Sequence, residues 1–409
     1  MGQHNADELQ APSWLNNQFL LEVIRKAQND QSLTLCHGCK LRPGTNAGDH
    51  YASIMFRTTV HYRSARYHKE QAISLIMKLP AQADGFKKDL LEGNDLFETE
   101  MRMYSEVLPA MSKALKEVGE HLEVPRLIHA SHKPHTIIIL EDVSPKAWLT
   151  GRELITSFEE ALPTIRNVAK FHAASYFLNQ SSVDLSKNCI DMFTKADGGA
   201  FSIFYKGFDA FCDAVQGWVG CEKFAAKFKN LKGTTHKKIQ QVYTANAKDS
   251  GYNVLNHADL HWKNLLHKKS PNGRIKDSML IDYQCCHWGS PAIDVISLVD
   301  LVVDHETKKT YRKEIIYEYY QHFVLILNKL GFLGSVPTLA DLHMELLKKG
   351  FLEVFHVVVF EQFKHVQLTE NTFDDLSKGR GENPGFGNES YLEVVRAEMP
   401  SLMYKGLLD

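Results

Sequence analysis

Three oxygen-bearing side chains stand at suggestive spacing between Val254 and Asp294. Asp259 lies two residues after a histidine, Asn264 follows five residues later, and Asp282 ends a short apolar run. A carboxylate in the first position can accept the proton of an attacking hydroxyl, while the other two side chains offer hard oxygen ligands to the Mg²⁺ that bridges nucleotide phosphates. A five-residue loop and a following β-hairpin would bring the three together. We therefore predict a phosphoryl-transfer site with Asp259 as the base and Asn264 and Asp282 as Mg²⁺ ligands.

Nearby polar residues have supporting interpretations. His257 is expected to brace the loop that carries Asp259, and His261 either contacts phosphate or packs. Asp294 either accepts hydrogen bonds from the backbone of that loop or caps a helix. His172, on a long predicted helix, is interpreted as a buried histidine with satisfied hydrogen bonds and not as a catalyst.

Phosphoryl transfer also needs a cation for the nucleotide phosphates, and Lys78 near the end of an apolar β-run can supply one. Its predicted partner is Glu100 on the next helix. Glu98 is the competing choice, but Glu100 lies three residues from Phe97 and four from Tyr104, on the apolar side of that helix. We therefore predict a Lys78–Glu100 pair that orients ATP.

Two backbone segments are candidates for the rest of the nucleotide site. The stretch GDHYASIM precedes Lys78 without a G-x-G-x-x-G pattern, so a phosphate-covering loop and a plain β-turn both fit it. In the first interpretation Gly48 permits the turn, and the amides near Ala52 and the hydroxyl of Ser53 meet phosphate. In the segment IIILEDVS, backbone groups near Glu141 and Val143 would hold adenine.

The pattern of elements predicts an α+β protein with two lobes. An amphipathic lead helix, WLNNQFLLEVIRKA, precedes a small antiparallel sheet and a helix that begins near Asp95, and the chain is mainly helical from about Ser157 onward. This order is that of a small kinase N-lobe followed by a large helical C-lobe, with predicted bounds of 1–143 and 144–409. The predicted strands cover 51–62, 72–79, 126–129 and 136–141.

The composition is that of an ordinary soluble protein. With 47 basic and 49 acidic residues, the net charge of -2 gives no reason to expect nucleic acid or an anionic membrane surface as a partner. The N-terminal residues lack the pattern of a secretory signal, and seven scattered cysteines suit a reducing compartment, so we expect a cytoplasmic location. Cys36 and Cys39 form a CHGC turn, but no second pair follows in the sequence, so the turn by itself predicts no zinc site.

The combination of HADLHWKN, IDYQCCHWGSPAID, FETEMRMY, LEDV and KFHAASYF resembles the ecdysteroid kinase-like family, within the choline-kinase and aminoglycoside-phosphotransferase group of kinase-like folds. The resemblance covers roughly 47–368. It implies that Asp259 is the catalytic base, that Asn264 and Asp282 bind Mg²⁺, and that Lys78 with Glu100 orients ATP. The group usually has glycine where this chain has Ala258, and a methyl group there is tolerable unless the backbone needs a positive φ.

The spacing also limits the acceptor. Only twelve positions separate Asp282 from Asp294, which leaves no room for the peptide-docking segment of a protein kinase, so a small-molecule hydroxyl is the expected acceptor. The resemblance favours an ecdysteroid or a similar lipophilic hydroxylated compound. The aromatic segment 192–218 could line an apolar acceptor cleft or simply pack in the core. A choline- or aminoglycoside-type kinase and a non-catalytic pseudokinase that binds a ligand or partner remain alternatives.

Overall fold

The computed structural model describes residues 9–44, 53–81, 94–181, 183–187, 193, 201–366 and 383–409. The chain forms the two-lobed α+β fold that the sequence predicts, with an antiparallel sheet in the first part and mainly helices in the second. No helix in these ranges combines the length and the apolarity that a bilayer crossing requires.

The sheet of the first lobe contains six described strands in the order β1-β3-β4-β6-β5, with β2 beside β3. The predicted antiparallel pair at 51–62 and 72–79 is confirmed as β3 and β4, but both strands extend further toward their shared turn. Most of the extra residues are polar and exposed, so no apolar alternation marks them. The strands are β1 Thr34–Leu35, β2 Arg42–Pro43, β3 Ser53–Ser64, β4 Tyr67–Pro80, β5 Leu127–Ser131 and β6 Ile137–Glu141.

Helix α1 (Asn17–Ala27) covers one face of this sheet. Asn16 caps it by accepting from the backbone N–H groups of Gln18 and Phe19, which contributes about 1 kcal/mol. Its apolar side chains, Leu20 among them, pack on the strand residues that point to this face, such as Leu75 and Met77 of β4. Successive strand residues point to opposite faces, so Ile76 and Lys78 must face the other way. Because α1 covers the face of the sheet that bears Leu75 and Met77, Lys78 must point to the opposite face.

The other face of the sheet meets a helical segment that joins the core of the second lobe. Helix α2 (Leu96–Arg102) starts after Asp95, as predicted, and continues through a π-helical turn (Met103–Val107) into α3 (Leu108–Glu117). Its buried residues belong to the same apolar cluster as the helices of the second lobe. Glu100 is thus held between the two lobes.

The second lobe is built around the long helices α4 (Phe158–Ser181) and α9 (His305–Lys329), which pack against each other. Small strands at one end carry the predicted chemistry: β8 (Val254–Asn256) pairs with β11 (His287–Gly289), and β9 (Leu265–Lys269) lies between β7 (Leu149–Thr150) and β10 (Ile275–Leu280). The remaining described α-helices are α5 Ser202–Ala214, α6 Glu222–Leu231, α7 Thr235–Tyr243, α8 Ala292–Ser297, α10 Leu339–Lys348, α11 Phe351–Phe355, α12 Gln362–His365 and α13 Glu389–Tyr404.

The described aromatic residues of segment 192–218 pack inside this lobe. Phe208 and Phe211 of α5 are fully buried and contact Phe228 of α6, and Phe208 also meets Phe355 of α11. Core packing, the simpler of the two interpretations, therefore accounts for these rings. The predicted lobe boundary near Ser144 falls just after β6 and stays a prediction.

Candidate active site

Lys78 lies where the two lobes meet and is surrounded by oxygen atoms. Its Nζ contacts Glu100 Oε2 at 2.5 Å, Asp282 Oδ1 at 2.5 Å and Gln284 Oε1 at 3.0 Å. Lys78 and Glu100 are only 5% and 2% exposed. Glu98, the competing choice on the same helix, is exposed and faces His132 at 3.3 Å. The structure thus brings Glu100, and not Glu98, to Lys78.

The loop after β8 presents Asp259 and Asn264 beside each other. The amide Nδ2 of Asn264 donates to the backbone oxygen of Asp259 at 2.8 Å and to its Oδ2 at 3.0 Å. The hairpin of β9 and β10 then returns the chain, and the N–H of Ile281 donates to the carbonyl of Asn264 at 3.1 Å. Asp282 follows immediately, so the β-hairpin that the sequence predicted does bring it back to this loop.

Asp294 of α8 holds the backbone of the same loop. Its Oδ2 accepts from the N–H of His257 at 2.6 Å and its Oδ1 from the N–H of Ala258 at 2.9 Å. Oδ2 also contacts Nε2 of His172 at 3.0 Å, and Nδ1 of that ring lies 2.7 Å from the hydroxyl of Tyr319. Of the two interpretations of Asp294, the structure shows the bonds to the loop backbone. His172 is buried with both ring nitrogens in hydrogen bonds, as predicted.

Two positions of the site adopt left-handed backbone conformations. Ala258 has φ of 61° and Asp282 has φ of 66°. Aspartate tolerates this region comparatively well because its short polar side chain can bond locally, whereas alanine is strained there. The methyl group of Ala258 therefore stands where the backbone does need a positive φ. His257 braces the loop from the other side, with its Nε2 at 2.8 Å from the carbonyl of Ile281.

The close carboxylates perturb one another's protonation. Burial raises the pKa of Asp259 to about 7, the negative charge of Asp282 adds to this effect, and the hydrogen bond from Asn264 opposes it. Burial alone would lower the pKa of Lys78, but the charges of Asp282 and Glu100 outweigh it and raise that pKa. Burial raises the pKa of Glu100, the negative charge of Asp282 adds to this effect, and the ammonium of Lys78 opposes it. The site therefore has a surplus of negative charge.

A cleft of about 1050 Å³ opens beside Lys78 and Asp282, between the sheet and the β9–β10 hairpin. Glu141 and Val143 both line it. The N–H of Glu141 donates to the carbonyl of Arg126 at 2.9 Å. The backbone group that Glu141 can offer to a nucleobase is therefore its carbonyl. Ser53 is 3% exposed, opposite Pro80 at the start of β3, and is not part of the cleft wall. Its contact with phosphate stays a prediction, and Gly48 and Ala52 lie outside the described residues.

Two contributions escaped the sequence analysis. Gln284 is a third partner of the Lys78 ammonium, and only its position two residues after Asp282 could have indicated this. Trp148, 3% exposed, forms an apolar floor of the cleft with Val143, Leu266 and Ile281, and Met279 belongs to the same apolar cluster. In the sequence, Trp148 is a single tryptophan after the predicted adenine-binding segment. Such an isolated residue is too common to indicate a role in a binding site.

The geometry joins a buried lysine, its acidic partner and a further carboxylate at the cleft, and the loop with the carboxylate–amide pair meets the chain just before that carboxylate. A sequence model of the ecdysteroid kinase-like family matches residues 47–332, well over half of the chain. The chain belongs to the ecdysteroid kinase-like family. It is accordingly a small-molecule kinase, a phosphotransferase that acts on a hydroxyl group. A comparison with curated proteins gives no significant match.

Solved structures with a similar fold include small-molecule phosphotransferases. An aminoglycoside phosphotransferase from Alicyclobacillus acidocaldarius is 14% identical, with 97% of each chain covered and a TM-score of 0.40. An ethanolamine kinase from Plasmodium vivax is 9% identical, covers 90% of this chain and 83% of its own, and gives 0.41. A spectinomycin phosphotransferase, solved with ADP and spectinomycin, is 11% identical over 93% of this chain and 97% of its own, with 0.39. Similarity at this level indicates nothing about the acceptor of the present chain.

Proposed function

We propose that this ecdysteroid kinase-like protein transfers the γ-phosphoryl group of ATP, with Mg²⁺, to a hydroxyl of an ecdysteroid or a similarly lipophilic hydroxylated compound. The observation that carries the chemical part is that Lys78 bonds to Asp282 at the cleft, while the loop that holds Asp259 and Asn264 meets the chain just before Asp282. The choice of acceptor is supported by family membership.

Asp259 is the proposed base. Its side chain is 35% exposed, so an acceptor hydroxyl can reach it, while the bond from Asn264 to Oδ2 fixes its orientation. In the reaction, the acceptor oxygen bonds to the γ-phosphorus, its proton passes to Asp259, and the bond from phosphorus to the leaving oxygen of ADP breaks. A pKa of about 7 suits this role because a base works best when its pKa lies near the operating pH.

The oxygen donors near Asp259 fit a magnesium ion. Asn264 uses its amide nitrogen toward Asp259, which leaves its oxygen end for other contacts, and Asp282 supplies a carboxylate. Burial is the main cause of the raised pKa of Asp259, and the negative charge of Asp282, which adds to it, is what a divalent cation would compensate. When bound, Mg²⁺ neutralises the phosphate charge that develops during transfer.

The remaining residues bind and orient the nucleotide in this proposal. Lys78 meets the phosphates, and Glu100 and Gln284 hold its ammonium in place. Backbone groups of Glu141 and Val143 recognise adenine, and the apolar floor around Trp148 supports the ring. The flat aromatic face of a base matches such a floor, whereas the triphosphate must lie toward Lys78.

The experiment compares Asp259→Asn with the wild type and with Asp277→Asn as a matched control. Asp277 is exposed on the hairpin that leads to Asp282, so the same chemical change there should leave activity intact. Asp259→Asn should lower kcat about 10²–10⁴-fold, the usual contribution of general base catalysis, while calorimetry shows nearly unchanged nucleotide affinity. Unchanged turnover in that variant would remove Asp259 from the role of base.

The acceptor is tested separately with ATP, Mg²⁺ and a panel of ecdysteroids, other sterols, amino alcohols and aminoglycosides, scored by mass gain. Turnover of the lipophilic hydroxyl compounds supports the proposal. Exclusive turnover of amino alcohols or aminoglycosides would contradict the proposed acceptor but not the proposed phosphoryl transfer. Nucleotide binding without turnover of any compound would contradict both and favour a ligand-binding pseudokinase.

A further inference from the structure

Three segments of the first lobe bring metal-binding side chains together, away from the active site. Strand β1 runs antiparallel to the end of β3, and the N–H of Cys36 donates to the carbonyl of His61 at 2.9 Å, so the CHGC turn begins beside His61. In the β3–β4 hairpin His61 lies opposite Ala72, and Glu70, two residues before Ala72, points to the same face. Long side chains at such diagonal positions can touch.

The ligand atoms of this group are close. Nδ1 of His61 is 2.9 Å from Oε1 of Glu70, and the His37 ring lies with its centroid 4.8 Å from that of His61. One ligand atom from each of His37, His61 and Glu70 lies within 4.8 Å of the other two. The thiol of Cys36 and the ring of His61 both lower the pKa of the Glu70 carboxyl, which places a softer donor at the edge of the set.

We propose that His37, His61 and Glu70 form a binding site for one Zn²⁺-like transition-metal ion. Two imidazoles and one carboxylate are ligands that zinc uses, at distances of about 2.0–2.2 Å, which places tetrahedral ligand atoms roughly 3.4 Å apart. The three atoms need small side-chain movements to reach this spacing. His37 and Glu70 are exposed and free to make them. The metal takes the place of the proton that His61 and Glu70 share.

The chemistry distinguishes this site from the active site. Asp282 and Asn264 offer only oxygen, which suits Mg²⁺, whereas imidazole nitrogen favours zinc and its neighbours in the transition series. The proposed metal site is also apart from the active site. His61 and Arg57 lie on the same face of β3, four residues apart, and four residues span about 13 Å along a strand. The CHGC turn did not predict a site because the other ligands come from across the sheet and not from a second sequence motif.

Metal binding here would tie the turn before β2 to the sheet. The chain runs from Cys39 directly to β2, and Arg42, Pro43 and Gly44 form part of the cleft wall. This connection is held by few contacts, among them the hydrogen bond from the Thr58 hydroxyl to the carbonyl of Lys40 at 3.0 Å, that from the N–H of Cys39 to Oδ1 of Asn17 at 2.8 Å, and the short β2 pairing. A metal ion would therefore stabilise the first lobe and the approach to the cleft.

The test is a zinc titration of the untagged, EDTA-treated full chain, followed with a chromophoric chelator in millimolar Mg²⁺ so that oxygen-only sites do not compete. The chain has 20 histidines, so a matched control is essential. His132 with Glu98 is an exposed histidine–carboxylate pair without a third ligand in the described structure, and His132→Ala should leave zinc affinity unchanged. His37→Ala and Glu70→Gln should each weaken binding about tenfold or more.

His37→Ala is the decisive variant because His37 is exposed and lies in a turn, so it should fold normally. Zinc should raise the Tm of the wild type and of His132→Ala but not of His37→Ala. Cobalt in place of zinc should give the intense visible absorption of a tetrahedral site. Equal zinc affinity in the wild type, His37→Ala and Glu70→Gln, or the same loss in His132→Ala, would overturn the site.

Discussion

Replacing Asp294 with asparagine should distort the loop that carries Asp259 and Asn264, here called the catalytic loop, without changing a reacting group. The carboxylate accepts from the backbone N–H groups of His257 and Ala258 in this loop, and it also contacts the ring of His172. The side-chain oxygen of asparagine can accept a hydrogen bond from one of these N–H groups. The side-chain NH₂ then faces the other N–H group and cannot accept from it. One backbone donor of the loop would be left buried and unsatisfied.

The size of the effect follows from these contacts. A hydrogen bond to a charged group contributes about 1.5–3 kcal/mol, and a buried donor without a partner costs about 1–3 kcal/mol. Asp294→Asn should therefore lower the free energy of unfolding by about 2.5–6 kcal/mol, a large part of a typical total of roughly 5–15 kcal/mol. Because a displacement of about 1 Å at the chemistry can cost 10²-fold, kcat of the folded variant should fall by about that factor.

Asp300→Asn separates positioning from stability. Asp300 is buried as deeply, but its partners are Lys308 at 3.0 Å and His356 at 3.2 Å. This control should also be destabilised, with kcat preserved in the folded protein. Urea unfolding followed by circular dichroism gives the free energies, and steady-state kinetics at low temperature give kcat. Wild-type kcat in Asp294→Asn, or an equal loss of kcat in both variants, would refute the positioning role.

Two further predictions concern the same loop. Ala258→Gly should stabilise the protein by about 0.5–1 kcal/mol, because relief of roughly 1–2 kcal/mol of left-handed strain exceeds the glycine entropy cost of about 0.4–1 kcal/mol. Ala147→Gly, at φ of 64°, should be stabilised similarly. A lower Tm in Ala258→Gly would contradict this prediction. Since the pKa of Asp259 is raised to about 7, a larger share of the base is ionised as pH rises. At limiting Mg²⁺, kcat/KM should therefore increase with pH up to about 7 and then level off, and saturating Mg²⁺ should move the rise to lower pH. A profile at limiting Mg²⁺ that is flat from about pH 5.5 to 8 would exclude a titrating Asp259.

Much of the site could be predicted from the sequence because its parts are tied to local patterns. Asp259 and Asn264 share one loop, so their spacing of five residues nearly fixes their contact. The alternation of β4 sets which face Lys78 takes, and the apolar side of α2 distinguishes Glu100 from Glu98. These are properties of short segments, and such segments have little choice of geometry.

Other features arise only when distant segments meet. Gln284 and Trp148 have no distinctive local pattern, and their roles come from neighbours far away in the chain. For Asp294 the sequence left two roles open, and only contacts with a distant loop decide between them. The hairpin ends of β3 and β4 were underestimated because exposed polar residues carry no apolar period. The candidate metal site shows the same limit, since His37 meets Glu70 only across the sheet.

The sequence by itself therefore determined the two-lobed fold, the order of its elements and the residues proposed for phosphoryl transfer, because hydrophobic period and motif spacing act over short distances. Tertiary structure alone decided that Ala258 must adopt a positive φ, that Asp294 binds the loop backbone, and that Lys78 is shared by two carboxylates. Each of these depends on which groups are buried together. Burial determines whether a charge is shared, a pKa is raised or a backbone conformation is imposed.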